Sequence, residues 1–167
     1  DLEGFWNAIW EFFELRASVR PEKMLVKRQM PGMEWGTGGL LNYAENILKN
    51  AEGREDAQAL IVQSETFGRS ELSWGQLRDQ VASGAARLRG MGVEQGDRVV
   101  AILPNTETAL IAFLASASIG AVWSLCAPDM GHVAILDRFK QIAPKVLIAQ
   151  DGYVHAGKTV DRRDVLS

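Results

Sequence analysis

The sequence predicts an α/β fold: a parallel β-α-β sheet layer with flanking helices, preceded by a helical N-terminal extension and a β-hairpin. Three observations predict it. Between Arg98 and Ala149, three short β-rich runs alternate with two helical runs. Each run gives way to a loop rich in Pro, Gly, Asn or Asp, the place where open α/β sheets bind ligands. Residues 2–13 carry their apolar side chains at helical rather than strand spacing.

The first element is a helix with Leu2, Phe5, Trp6, Ile9 and Phe13 on one stripe, widened by Trp10 and Phe12. Its polar side offers Glu3, Glu11 and Glu14 against Arg16, the wrong charge for a membrane-surface helix, so docking onto a larger body is expected. Pro21 to Gly39 holds two Pro and four Gly with little periodicity and reads as an extended connector. Its Gly36-Thr37-Gly38-Gly39 run lacks the preceding strand and following Lys of a phosphate loop. A short helix from Leu40 to Lys49 follows, with Asn42 at its start.

Ala59 to Gln63 and Ser70 to Leu72 predict an antiparallel hairpin around a turn at Thr66-Phe67-Gly68. Ser73 and Gln76 spell a capping box. The helix it opens buries Leu77, Val81, Ala85 and Leu88, and ends at Gly90 or Gly92. Gly96-Asp97 turns the chain into the strand Arg98 to Leu103, which Pro104 stops. Asn105 or Thr106 caps a helix running to Ile119, rich enough in Ala and Ser to lie close against a neighbour. Gly120 ends it, and Ala121 to Leu125 is the second strand. Gly131 to Ile142 is the next helix, with Ile135, Leu136, Phe139 and Ile142 inward, and Lys145 to Ala149 the third strand. Right-handed crossovers make the three strands parallel, so the loops at Pro104-Asn105, Cys126 to Gly131 and Gln150 to Lys158 gather on one edge. The second of these precedes a helix N-terminus, which favours an anion, so the expected ligand bears phosphate.

Composition narrows the class. The 167 residues are 47% apolar and 23% charged, the balance of a globular domain. A net charge of −3 and a pI near 5.4 argue against a nucleic-acid partner. No stretch approaches the roughly 20 apolar residues of a membrane span, and no signal peptide is visible. The one cysteine, Cys126, offers neither an intrachain disulfide nor metal-ligand spacing, which implies a reducing, cytoplasmic setting. The sequence opens on Asp1 and closes just after the charged run Asp161-Arg162-Arg163-Asp164, and is expected to be a piece of something longer.

Gly152 to Thr159 matches the phosphate-loop pattern G-x-x-x-x-G-K-[ST]. In a nucleotide-hydrolysing domain of that kind, however, the strand before the loop comes early and a metal-binding Asp follows on a later strand. Here eight residues follow Thr159, and the match reads as a coincidence of spelling. His155 lies beside Lys158 in a candidate ligand loop, which suits a phosphate role. His132 reads as an exposed first-turn residue, and Cys126 as a small buried apolar side chain rather than a nucleophile. No Ser–His–acid triad or carboxylate pair assembles.

The segments M-P-G-M-E-W (30–35), L-N-Y-A-E-N (41–46), G-D-R-V (96–99), L-P-N (103–105), A-S-I-G-A-V-W-S-L-C-A-P-D (117–129), L-D-R-F (136–139) and D-G-Y-V-H-A-G-K (151–158) resemble the N-terminal part of the acetoacetyl-CoA synthetases, within the adenylate-forming superfamily. The resemblance implies that residues 1–50 are an N-terminal extension like that of acetyl-CoA synthetases, and that 51–167 are the first part of an AMP-binding domain. It implies an enzyme that joins a carboxylic acid to ATP as an acyl-adenylate, then to CoA as a thioester, with ATP, CoA and Mg²⁺ as cofactors and acetoacetate as the acid. The partners are these small molecules and the remainder of its own chain, with no nucleic acid and no membrane.

By the same resemblance, CoA binding falls to Ala127, Pro128, His155 and Lys158. The acetyl enzymes carry a second strong base where this chain has His155, and an aromatic-glycine pair where it has Ala127-Pro128. The family's nucleotide loop, adenylate-binding residues, acid pocket and catalytic Lys match nothing in these 167 residues, so the chain alone is expected to lack adenylation chemistry. A ligase for another short acid such as acetate or propionate, a stand-alone CoA- or nucleotide-binding module, and a phosphate-loop NTPase piece are the other readings.

Overall fold

The computed structural model describes residues 1–65 and 68–166, in two compact units that meet in sequence at Ile47 and Leu48. In the first unit, helix α1 (Leu2–Phe12) begins at Asp1, whose carboxylate accepts from the Gly4 amide at 2.9 Å. Of its aromatic stripe only Trp10 is buried; Phe5, Trp6, Phe12 and Phe13 are exposed. Arg20 stacks over the Trp10 ring at 5.6 Å and pairs with Glu11. The expected connector over residues 21–39 contains a two-stranded antiparallel ladder, β1 (Leu25–Lys27) with β2 (Glu34–Trp35). Strands of three and two residues are too short to show a period. Asn42 accepts from the Glu45 amide at 3.2 Å and so caps α2 (Tyr43–Leu48). Asn46 clasps the Arg16 backbone, accepting from its N–H at 2.8 Å and donating to its carbonyl at 2.9 Å. The L-N-Y-A-E-N segment is therefore a structural staple.

The second unit opens on a 3₁₀ turn (Lys49–Ala51) and the hairpin β3 (Gln58–Ser64) with β4 (Gly68–Ser73), paired antiparallel. Of the turn expected at Thr66-Phe67-Gly68, Thr66 and Phe67 lie outside the described residues. Helix α3 (Trp74–Gly90) begins on the predicted capping box, with both reciprocal bonds made, between Ser73 and Gln76. Such a box is worth about 1 kcal/mol. Its stripe of Leu77, Val81, Ala85 and Leu88 is buried as expected. Of the two candidate stops Gly92 is the one in the left-handed region, at φ +80°. Its N–H bonds to Arg89 at 2.8 Å and that of Val93 to Leu88 at 3.0 Å, the paired geometry of a Schellman end.

Three parallel strands form the sheet, in the order β6 (Val122–Cys126), β5 (Arg98–Ile102), β7 (Val146–Ala149). Val99, Val100, Ala101 and Ile102 of the central strand are all buried. Each Val or Ile removed from water there contributes about 1.5–3 kcal/mol. On one face Ala101 and Leu103 pack with Ala109 of α4 (Glu107–Ser118). On the other, Val100, Ile102 and Cys126 pack with Ile135 and Phe139 of α5 (His132–Lys140). The small side chains of α4 let α3 approach closely: a Cβ on Gly84 would lie 3.1 Å from that of Ala115. Leu136, expected inward, is 48% exposed, because it sits one helical step, about 100°, off the Ile135–Phe139 stripe.

The G-D-R-V segment serves this architecture at the edge where β5 begins. Arg98 donates through Nε to the Ile142 carbonyl at 2.7 Å and through a terminal nitrogen to Ala143 at 2.9 Å. Asp97 accepts from the Glu94 amide at 2.8 Å and from Lys145 Nζ at 2.7 Å. Those bonds tie the start of β5 to the start of β7.

Candidate functional site

Because β5, β6 and β7 run parallel, the chain leaves all three at one edge of the sheet. After β5, Pro104 ends the ladder and Thr106 takes the cap position of α4. The Thr106 hydroxyl turns back to the Pro104 carbonyl at 3.5 Å instead of capping the helix. After β6, the Met130 amide closes a turn on the Ala127 carbonyl at 3.2 Å. Within that turn Ala127 and Asp129 are exposed and Pro128 is buried. Gly131 then starts α5 with no side-chain cap, and His132 is exposed in its first turn. Cys126, 1% exposed, is a core side chain.

After β7 the expected loop is a second hairpin, β8 (Gly152–His155) with β9 (Lys158–Asp161), paired antiparallel. Its two-residue turn holds Ala156 at φ +50° and Gly157 at φ +72°. Both lie in the left-handed region, the signature of a type I′ hairpin turn, whose twist matches the flanking strands. This settles the phosphate-loop match. A Walker loop must wrap its glycine amides around phosphate and place its Lys at the start of a helix, whereas Lys158 here opens a strand. The hairpin agrees with reading the match as a coincidence of spelling.

The hairpin register makes His155 and Lys158 direct cross-strand partners beside the turn. Such partners project from the same face with Cβ atoms about 5 Å apart. Both are exposed, so two basic side chains stand together over solvent. A carboxylate reaches the same hairpin tip: Glu65, just beyond β3, accepts from the Gly157 amide at 3.0 Å and from Ala156 at 3.4 Å.

At the hairpin's base two adjacent arginines do different things. Arg163 grips the Asp161 carboxylate at 3.0 Å, and this bond, with the Arg163 amide, lowers the Asp161 pKa to about 2. Arg162 turns away, donating from its guanidinium to the Met130 carbonyl of the β6–α5 loop at 2.7 Å while its backbone N–H holds the Asp151 carbonyl at 2.7 Å. Neither Glu65 nor Arg162 was singled out from sequence. One lies in a hairpin turn and the other in an ordinary charged run, and their partners are 92 and 32 residues away.

The family model described as "AMP-binding enzyme" matches residues 47–166. The chain is 43% identical over 159 residues to the acetoacetyl-CoA synthetase of Rattus norvegicus, covering 92% of this chain and 23% of that one. It is 40% identical over 164 residues to the acetoacetyl-coenzyme A synthetase of Rhizobium meliloti, covering 95% and 24%. A more distant relative, the malonamoyl-CoA synthetase of Penicillium aethiopicum, is 29% identical over 159 residues, with 92% and 22% covered. Among solved structures, acetoacetyl-CoA synthetase from Streptomyces lividans superposes with a TM-score of 0.94 at 47% identity, over 99% of this chain and 26% of that one. The chain thus spans about a quarter of the length of the relatives it matches. The match of the AMP-binding enzyme model to residues 47–166, which include the parallel sheet and the β8–β9 hairpin that follows it, places this chain in the AMP-binding enzyme family.

Proposed function

We propose that this chain is the N-terminal part of an ATP-dependent acid–CoA ligase that makes acetoacetyl-CoA, AMP and pyrophosphate from acetoacetate, ATP and CoA. In such a reaction the acid's carboxylate oxygen attacks the α-phosphorus of ATP and pyrophosphate leaves. The CoA thiol, losing its proton, then attacks the acyl carbon and AMP leaves. Residues 1–50 form the extension and 51–167 the first part of the AMP-binding domain. The segment's contribution is scaffold and part of the CoA seat.

The cross-strand pair His155 and Lys158 carries this role. An ammonium and an imidazole projecting from one face suit the donor needs of the CoA 3′-phosphate. Exposed Ala127 lines the neighbouring loop, where buried Pro128 shapes the turn rather than offering a surface. ATP and Mg²⁺ belong to other parts of the longer protein. Among the described residues no three His, Cys, Asp or Glu stand together as metal ligands. Acetoacetate as the acid rests on the names of the relatives at 40–43% identity. A cytoplasmic location rests on cysteine usage, one buried thiol.

The second reading, a ligase for a different short acid, has the malonamoyl-CoA synthetase relative behind it. The test is a panel of acids with the full-length protein, following acid-dependent ATP–pyrophosphate exchange and then CoA-dependent thioester formation. Acetoacetate should give the highest kcat/KM among acetoacetate, acetate, propionate and malonamate. A clear preference for another acid transfers the assignment to that acid, and no exchange with any of them removes the ligase reading.

A further inference from the structure

The four residues that resemblance assigns to CoA sit on two separate pieces of chain: exposed Ala127 and turn-shaping Pro128 in the β6–α5 loop, His155 and Lys158 on the β8–β9 hairpin. A side chain that resemblance did not single out joins the two pieces. Arg162, immediately after β9, donates to the Met130 carbonyl in the β6–α5 loop at 2.7 Å. Its stretch of chain is anchored twice. The Arg162 amide holds Asp151 at the hairpin's other foot, and three residues on, Val165 packs against the core cluster of Val100, Ile102 and Cys126. Met130 itself packs against that cluster, and the Arg162 bond adds a direct tie from the loop to the hairpin's base.

Two further observations separate this bond from an incidental surface contact. Arg163, next in sequence, is spent on an exposed ion pair with Asp161, its side chain 75% exposed, and such pairs contribute little. Arg162 instead carries a buried Nε that has no acceptor among the described residues.

We propose that Arg162 is a positioning residue: its bond to the Met130 carbonyl sets the spacing between the β6–α5 loop and the basic hairpin, and thereby the capture of CoA in the thioester-forming half-reaction. This rests on the CoA assignment above. Arg162 need not touch CoA. It acts through Lys158 and the loop.

The test uses the full-length protein with Arg162→Met, which keeps the length of the stem but removes the donor, and Arg162→Lys, which restores one donor. Arg162→Met should raise the KM for CoA about five- to tenfold with kcat at saturating CoA within twofold. Pyrophosphate exchange without CoA should stay within twofold, and Arg162→Lys should recover most of the loss. In a Lys158→Ala background Arg162→Met should add little, because the hairpin it positions has already lost its grip. An unchanged KM for CoA in Arg162→Met, alongside a raised one in Lys158→Ala, overturns the positioning role and leaves the CoA site standing. If neither substitution alters it, the CoA assignment fails and the positioning role with it. Equal loss of exchange and thioester formation marks a purely structural residue and also overturns the proposal. Should Arg162→Met fail to fold, the shorter, uncharged Arg162→Gln decides: a KM for CoA raised severalfold, with exchange intact, supports positioning, and an unchanged KM for CoA or equal losses in both refute it.

Discussion

His155 and Lys158 face one another across the last rung of the β8–β9 hairpin, next to a turn whose two residues both adopt left-handed backbone. A sequence pattern that spells a nucleotide-gripping loop is thereby turned into a pair of bases on one face of a ribbon. The distinction has kinetic consequences.

If Lys158 holds the CoA 3′-phosphate as proposed, Lys158→Ala in the full-length protein removes a charge-assisted bond worth about 1.5–3 kcal/mol. The KM for CoA should rise at least about tenfold, the equivalent of 1.4 kcal/mol, and dephospho-CoA should lose its disadvantage against CoA. Pyrophosphate exchange without CoA should be nearly unchanged, and its loss in a folded enzyme would sink the CoA assignment. His155→Ala should show the same pattern more faintly, since an imidazole offers fewer donors than an ammonium.

The hairpin turn makes a prediction about stability. Ala156 pays the left-handed penalty of a side chain, roughly 1–2 kcal/mol, which asparagine relieves in part. Ala156→Asn, giving the favoured Asn-Gly turn, should raise the urea midpoint by the equivalent of up to about 1 kcal/mol. Gly157→Val, placing a β-branched residue at φ +72°, should lower it by roughly 1–2 kcal/mol. Opposite signs would show that the turn is not type I′.

The contact between α3 and α4 predicts an asymmetric response to added volume. Ala115 is buried and its Cβ would meet one on Gly84 at 3.1 Å. Ala115→Leu should destabilise by about 1–3 kcal/mol through overpacking. Gly84→Ala should be close to neutral, its helix-propensity gain of roughly 0.5–1 kcal/mol offsetting the crowding. Chemical denaturation of the two variants side by side measures both.

The Asp97–Lys145 pair should leave a mark on acid stability. The hydrogen bond from Lys145, with that from the Glu94 amide, holds the Asp97 carboxyl below its ordinary value of 3.8. A group with a lower pKa folded than unfolded stabilises the fold above the unfolded value, and that support is lost as pH falls through the folded one. Denaturation midpoints should therefore fall below about pH 4, and less steeply in Asp97→Asn. Identical pH profiles in the two proteins would show that the pair contributes nothing to acid stability.

Short-range signals in the sequence were sufficient for helices α1 to α5, the β3–β4 hairpin and the three strands of the parallel sheet. The Ser73–Gln76 box, the Leu77-Val81-Ala85-Leu88 stripe and the three β-rich runs depend on neighbours within one or two turns of chain, where capping and periodicity act. Tertiary structure alone decided the rest. The sheet order β6-β5-β7 depends on which side of β5 each helical crossover lands. Strands as short as β1 and β2 form only because each has the other to pair with. Gly152 to Thr159 is a hairpin because its two strands and left-handed turn agree, a matter of backbone angles that the phosphate-loop spelling does not encode. The inward turn of Arg162 beside the outward turn of Arg163 follows from where Met130 and Asp161 stand. Two identical residues in one charged run acquire different roles only when the folded chain brings each its own acceptor.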